Sequence, residues 1–259
     1  MSSQNRIQGR AVLVTGASSG IGEACARRFA AAGADLVLWA RRIERLEALA
    51  AELERQHGAP VRFAAVDVRD RGAVFREAEA LVQQGWVPDV LVNNAGLAVG
   101  LDPLHQGDPD DWERMIDTNI KGLLYVTRAF LPHMIERGRG HVVNIGSIAG
   151  HQVYPKGNVY AATKHAVRAL THALSLDLTG TPIRVSSIDP GLVETEFSIV
   201  RFKGDRERAA DVYRGLRPLT GDDVADAVFY VVNAPPHVNV LELLVLPTAQ
   251  RSATVVHRE

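Results

Sequence analysis

The sequence has 259 residues, 29 basic and 30 acidic side chains, and a hydrophobic fraction of 46%. That even balance, with no basic block or aromatic-basic stripe, excludes a nucleic-acid partner, and the length suits one large α/β domain over 1–259. The N-terminal MSSQNRIQGR has no apolar leader core, no apolar run reaches the ~20 residues a bilayer needs, and the one cysteine, Cys25, has no disulfide mate. The expectation is therefore a cytoplasmic protein with no membrane partner, and Cys25 on the inner face of the first helix.

Taken in chain order, the first element is Ala11–Thr15 (AVLVT), a short continuous apolar run of the kind buried on both faces in parallel sheets. Gly16-Ala-Ser18-Ser19-Gly20-Ile21-Gly22 follows at once, and then apolar residues at helical spacing as far as Gly33. Strand, glycine turn and helix N-terminus is a context in which backbone N–H groups meet a pyrophosphate. The spacing is G-x-x-x-G-x-G, which alone would equally suit a tight turn. Asp35–Ala40 reads as the second strand and is followed by Arg41 and Arg42. An NAD site places a carboxylate near this point, which would repel a 2′-phosphate. Two guanidinium groups bind a 2′-phosphate instead, so the expected cofactor is NADP(H), held first by Arg41 and second by Arg42.

Val61–Val66 reads as the third strand and brings Asp67 and Val68 to an adenine ring, because ligands of open α/β sheets bind beyond the strands' carboxyl ends. After a helix over 70–84, Asp89–Asn93 is the fourth strand, delivering Asn94, Ala95 and Gly96 beside the nicotinamide ribose. Asp108-Pro-Asp-Asp starts a helix that runs to about Arg137. Asn119 within it predicts a local irregularity that frees a carbonyl to hold a water. Strands are expected at 141–146, 183–188 and 241–246, with helices at 43–56, 159–179 and 222–232. Residues 194–218, with many charges and little core character, read as a mobile lid. The tail 247–259 lacks a core face and is expected to dock on a neighbouring subunit. No histidine spacing of the H-E-x-x-H kind occurs, so no metal site is expected.

The chemistry gathers in Ser147–Lys164, SIAGHQVYPKGNVYAATK. Ser147 follows the fifth strand and can hydrogen-bond a carbonyl oxygen. Tyr160 can exchange a proton, and Lys164, one helical turn on, shares its face. A phenol has a pKa of about 10, and a nearby ammonium is expected to lower it toward neutrality. Alone, Tyr-x-x-x-Lys describes many half-buried tyrosines beside solvated lysines. Its weight comes from the glycine turn, the arginine pair and the asparagines upstream.

Those residues together, Thr15-Gly16-x-x-x-Gly20-Ile21-Gly22, Asn93-Asn94-Ala95-Gly96, Asn119, Ser147, Tyr160-x-x-x-Lys164 and Pro190-Gly191, closely resemble the short-chain dehydrogenase/reductase family in its single-domain form. Within it, NNAGLAVG, MIDTNIKGL, EFSIVRFKGD and the terminal VHRE resemble the NADP-dependent 3-hydroxy acid dehydrogenases that also act on serine and allo-threonine. The resemblance implies a Rossmann fold with a doubly wound, seven-stranded parallel sheet and helices on both faces. It implies a catalytic set of Asn119, Ser147, Tyr160 and Lys164, with Pro190, Gly191, Val193 and Thr195 near the nicotinamide, and a homotetramer. A hydroxy acid also needs its carboxylate neutralised, and Arg201 and Lys203 in the lid are the expected cations. Two other functions fit the same frame: a general NADPH-dependent carbonyl or 3-ketoacyl reductase, and a non-catalytic NADP(H)-sensing protein.

Overall fold

The short aliphatic runs of the sequence become seven parallel strands of one sheet. The computed structural model describes residues 5–259. The strands are β1 (Ala11–Thr15), β2 (Asp35–Ala40), β3 (Val61–Ala65), β4 (Val90–Asn93), β5 (Gly140–Ile145), β6 (Ile183–Pro190) and β7 (Glu242–Val245), in the spatial order β3-β2-β1-β4-β5-β6-β7. The helices are α1 (Gly20–Ala31), α2 (Ile43–His57), α3 (Arg71–Gln83), α4 (Pro109–Ile116), α5 (Leu123–Arg137), α6 (Asn158–Asp177), α7 (Phe197–Arg201), α8 (Arg206–Asp211) and α9 (Gly221–Val232).

Strand periodicity divides the core into two layers. Val12, Val14, Leu36 and Leu38 face one side with Phe29 of α1, Leu46 and Leu53 of α2 and Val228 of α9. Leu13, Val37 and Trp39 face the other with Val74 of α3 and Phe130 and Met134 of α5. Cys25 is buried in the first layer, where burial pushes its thiol pKa up to about 12. The chain winds outward from β1 through β2 to β3, then returns to pair β4 with the other edge of β1. That reversal opens a crevice at the carboxyl ends of β1 and β4, the usual place for a ligand in such a sheet.

Three local outcomes differ from the sequence-based expectation. The helix expected over 108–137 is two helices joined by a π-helical stretch, Asp117–Gly122, so the irregularity at Asn119 is a widened turn. Gly122 lets this turn lie against Val68, since a Cβ there would come within 2.6 Å of the valine Cγ2. The lid is built from two short helices, α7 and α8, the latter capped by Asp205, whose carboxylate accepts from the Arg208 amide at 3.1 Å. The tail folds back on its own chain. Gln250 is buried and accepts from the Leu192 amide at 2.8 Å, and the Glu259 amide donates to Gly215 in the lid at 2.9 Å. Among the described residues, no helix is long and apolar enough to cross a membrane.

Candidate active site

The glycine turn and the loop after β4 lock onto each other. Gly16 has φ +67°, a left-handed conformation that a side chain would resist. A Cβ on Gly22 would run into the Asn94 amide and the Gly16 carbonyl. Asn94 Nδ2 donates to the Thr15 carbonyl at 2.8 Å, while Thr15 Oγ1 accepts from the Asn94 and Ala95 amides at 3.1 and 3.0 Å. Beyond this joint opens a cleft of about 520 Å³. Its near wall is Gly16, Ser18, Ser19, Gly20 and Ile21, and Gly22 stands behind it. Asp67, Val68, Asn94, Ala95, Gly96, Pro190, Gly191, Val193 and Thr195 also line the cleft, with Thr195 set against Gly20. The Arg69 guanidinium holds the Asp67 carboxyl below its usual range. Asn93, by contrast, is structural: its amide donates to Thr127 and Asn144 at 2.9 Å each, tying β4 to α5 and β5.

Arg41 and Arg42 both line the cleft, but their surroundings reverse the expected order. Arg42 is the organised one. Its Nη2 donates to Ser19 Oγ at 2.7 Å, its Nε and Nη2 to Ser18 Oγ at 3.1 and 3.0 Å, and its Nη1 to Glu196 at 2.8 Å. Ser19 is the N-cap of α1 yet makes no side-chain capping bond, so its hydroxyl is available to Arg42. Arg41 is exposed. Two serine hydroxyls, a guanidinium held by them, a second guanidinium and a helix N-terminus form a recess suited to a phosphate monoester.

β5 delivers Ser147 to the floor of the cleft, where its Oγ accepts from the Ala149 amide at 3.1 Å. α6 places Tyr160 and Lys164 on one face, both buried and both lining the cleft. Lys164 Nζ donates to the Ile145 carbonyl at 2.8 Å and lies 6.0 Å from the centre of the Tyr160 ring. Burial pulls the Lys164 pKa down to about 8, against the opposing charge of Asp189. Burial likewise pushes the Tyr160 phenol up, ahead of the opposite pull of the Ser147 hydroxyl and the Arg201 charge. The lowering of Tyr160 by Lys164 expected from their spacing is therefore not a property of this geometry: the ammonium is turned to a carbonyl, and desolvation governs the phenol. Asn119 is a clamp outside the cleft wall. Its Oδ1 accepts from the Leu97 amide and its Nδ2 donates to the Leu97 carbonyl, both at 2.8 Å, with Thr163 Oγ1 at 3.0 Å.

The lid covers the reacting end. Arg201, the last residue of α7, has its guanidinium 5.6 Å from the centre of the Tyr160 ring, and its Nη2 donates to the Tyr154 hydroxyl at 2.6 Å. Its Nε is buried without a hydrogen-bond partner. Lys203 does not join it. That side chain leaves the cleft and pairs with buried Asp111 at 2.7 Å, from a backbone in the left-handed region at φ 53°. The expectation of a second substrate cation there is corrected: a buried carboxylate without a cation is costly, and Asp111 claims the lysine. Phe197, whose ring meets Tyr160 edge-on at 5.6 Å, and Gln250 and Ala253 of the tail also line the cleft. Sequence reasoning named none of the three as site residues: Phe197 lies inside the EFSIVRFKGD segment, and Gln250 and Ala253 carry no motif.

Beneath Ser147, Asp189 is almost fully buried. It accepts from Ser187 Oγ at 2.5 Å and faces His151 Nε2 at 2.7 Å. A Cβ on Gly146 would strike its carboxylate. Glu242 lies close by, held by Arg168 and His172 at 2.6 Å each.

The residues present fit NADP(H): the turn leaves no room for a Cβ at Gly22, and the recess beside it is cationic. A family profile described as short chain dehydrogenase matches residues 10–205. The chain is 51% identical over 249 residues to the NADP-dependent 3-hydroxy acid dehydrogenase YdfG of Salmonella typhi, covering 95% of this chain and 99% of that protein. It is 47% identical over 240 residues to a sulfoacetaldehyde reductase of Chromohalobacter salexigens, covering 92% and 94%. The solved closed form of serine dehydrogenase complexed with NADP⁺ superposes with a TM-score of 0.89 at 48% identity, covering 96% of this chain and all of that one. With the glycine turn, the Ser147–Tyr160–Lys164 set and the sheet topology in place, the match over most of the chain makes this protein a member of the short-chain dehydrogenase family.

Proposed function

We propose that the protein is an NADP-dependent oxidoreductase acting on the 3-hydroxyl or 3-keto carbon of a small 3-hydroxy acid of the serine, allo-threonine or 3-hydroxyisobutyrate type. The observation that carries this reading is Arg201, a guanidinium that lines the cleft over Tyr160 and, among the described residues, pairs with no carboxylate. A carboxylate satisfies that group, and a neutral ketone leaves it unpaired at a cost. The cofactor, when bound, supplies the hydride acceptor or donor. Tyr160 gives a proton to the carbonyl oxygen in reduction and takes it from the hydroxyl in oxidation. Ser147 holds that oxygen. Lys164, anchored on Ile145, would hold the ribose, and Asn119, whose side chain is committed to Leu97 and Thr163, fixes that loop, so the expected water relay to Lys164 would start from its backbone carbonyl. Because burial pushes the phenol up, Tyr160 rests protonated, the form needed for reduction. Oxidation is therefore expected to gain with rising pH.

The test is absorbance at the nicotinamide band with NADP⁺ or NAD⁺ and L-serine, L-allo-threonine, 3-hydroxyisobutyrate and 3-hydroxypropionate. Turnover with NADP⁺ and little with NAD⁺ is expected. Reduction of uncharged ketones or ketoacyl thioesters alone would move the reading to a general carbonyl reductase. Tyr160→Phe separates the enzyme from an NADP(H)-sensing protein: a fall of about 10²–10⁴-fold in turnover with NADPH binding intact is expected, and an unchanged rate would refute the mechanism. The relative acting on sulfoacetaldehyde favours including a sulfonate in the panel, since Arg201 recognises charge and oxygen geometry common to both anions. The reading includes a cytoplasmic homotetramer, with exposed Leu124, Ile135, Tyr230 and Leu244 as candidate contacts between copies; sedimentation velocity checks the subunit number.

A further inference from the structure

Glu196 occupies a junction that the proton chemistry does not use. It immediately precedes α7 and lines the cleft. Its two carboxylate oxygens are divided between two arginines: Arg42 Nη1 donates to Oε2 and Arg45 Nη1 to Oε1, each at 2.8 Å. The remaining edge of Arg42 is the one turned to Ser18 and Ser19, where a 2′-phosphate would lie. Arg45 stands outside the cleft wall. At the other end of the same five-residue helix Arg201 lies over Tyr160, and Phe197, at the helix's first position beside Glu196, packs against that ring. A helix of that length spans ~7.5 Å and behaves as one body. Whatever fixes Glu196 therefore fixes where Arg201 points.

We propose that Glu196 is a positioning residue: the Arg42–Glu196–Arg45 bridge holds α7, and Arg201 with it, over Tyr160, so the cationic recess for the cofactor also sets the anion subsite for the substrate. This rests on the reading of Arg201 as that subsite. A cofactor phosphate entering the recess shares Arg42 with Glu196, and Arg45 keeps the carboxylate in register. Coupling of this kind is reciprocal for binding: a substrate anion on Arg201 steadies the same bridge.

Glu196→Gln, Arg45→Gln and the double variant test it, with three readouts. In the ligand-free protein, trypsin cleavage at the basic residues of the lid is expected to accelerate in all three variants. NADPH affinity, followed by nicotinamide fluorescence, is expected to hold or tighten in Glu196→Gln, because a carboxylate beside the phosphate is gone. KM for the anionic substrate is expected to rise about threefold to tenfold with kcat near the parent value, the order a half-exposed bridge of two ion pairs allows. KM for an uncharged ketone stays level, and the double variant is no worse than either single one. Unchanged lid cleavage, an equal KM rise for uncharged ketones, or weakened NADPH binding with unaltered KM would each overturn the proposal. If no anionic substrate turns over at all, the substrate reading fails, and the cleavage and NADPH arms still decide the bridge.

Discussion

Around Gly16–Gly22 the cleft is held by buried backbone: Thr15 and Asn94 exchange hydrogen bonds, and Gly22 is packed so closely that a methyl has no place. Across the lid, from Glu196 to the tail, it is held by half-exposed ion pairs, a phenol–guanidinium bond and backbone bonds from the last residues. The first kind of contact is fixed when the sheet folds and costs no reorganisation when a ligand arrives. The second is modest in energy and screened by salt. One wall of this site is thus set by covalent and packing geometry, the other by charge, and the two are expected to respond differently to substitution, pH and ionic strength.

Substitutions can break that contrast. Gly22→Val should damage the packed wall most, with a stability loss of about 1–3 kcal/mol and NADPH affinity down by ~100-fold, read by thermal melts and fluorescence titration. A variant that binds NADPH normally would show the wall to be pliable. Arg201→Ala should act on the other wall alone, raising KM for carboxylate substrates by ~10–100-fold while sparing uncharged ketones and NADPH affinity. Equal losses on both substrate classes would remove Arg201 from the anion subsite.

A pH series sharpens the same comparison at Lys164, on the packed side. Burial pulls its pKa down to about 8 from 10.5, so between those values the unfolded chain holds the extra proton. Stability of the ligand-free protein should then rise with pH across that window, and below it the full burial cost is present. Lys164→Met lacks the term, so its advantage in urea unfolding should be constant below pH 8 and shrink as pH climbs to 10.5. A gap that widens with pH would contradict the assignment. The smallest effect belongs to Lys203→Gln: its partner Asp111 is outside the cleft, so KM for anionic substrates should stay within about twofold. A larger change would return Lys203 to the substrate site.

What could be read from the sequence follows the same division. The strands, the glycine turn and the Ser147–Tyr160–Lys164 face are written in runs and spacings, because buried parallel strands demand unbroken apolar segments and a helix repeats its face every turn. Asn119 announced an irregularity, though not that it would be a π-helical turn seated on Val68. The lid was legible only as a charged stretch. Which of Arg201 and Lys203 turns inward depends on Asp111, a residue 90 positions upstream of Arg201 whose need for a cation no local pattern reveals. The same holds for Arg42, set apart from Arg41 by Ser18, Ser19 and Glu196, and for Gln250 and Ala253, brought to the cleft by a tail with no periodicity. Spacing brings Lys164 near Tyr160 but does not report burial, which in the ligand-free chain is the largest cause of the shift at both groups.

The floor under Ser147 constrains how such a site can change over generations. Gly146 has no room for a side chain because Asp189 lies against it, and Asp189 in turn is the partner of His151 and Ser187. A lineage that replaced Gly146 first would carry a damaged serine; one that replaced Asp189 first would leave two neighbours without their acceptor. Only a path that shrinks the acid before filling the glycine stays open, so these positions are expected to drift in a fixed order or not at all, and libraries that randomise them singly will find few survivors.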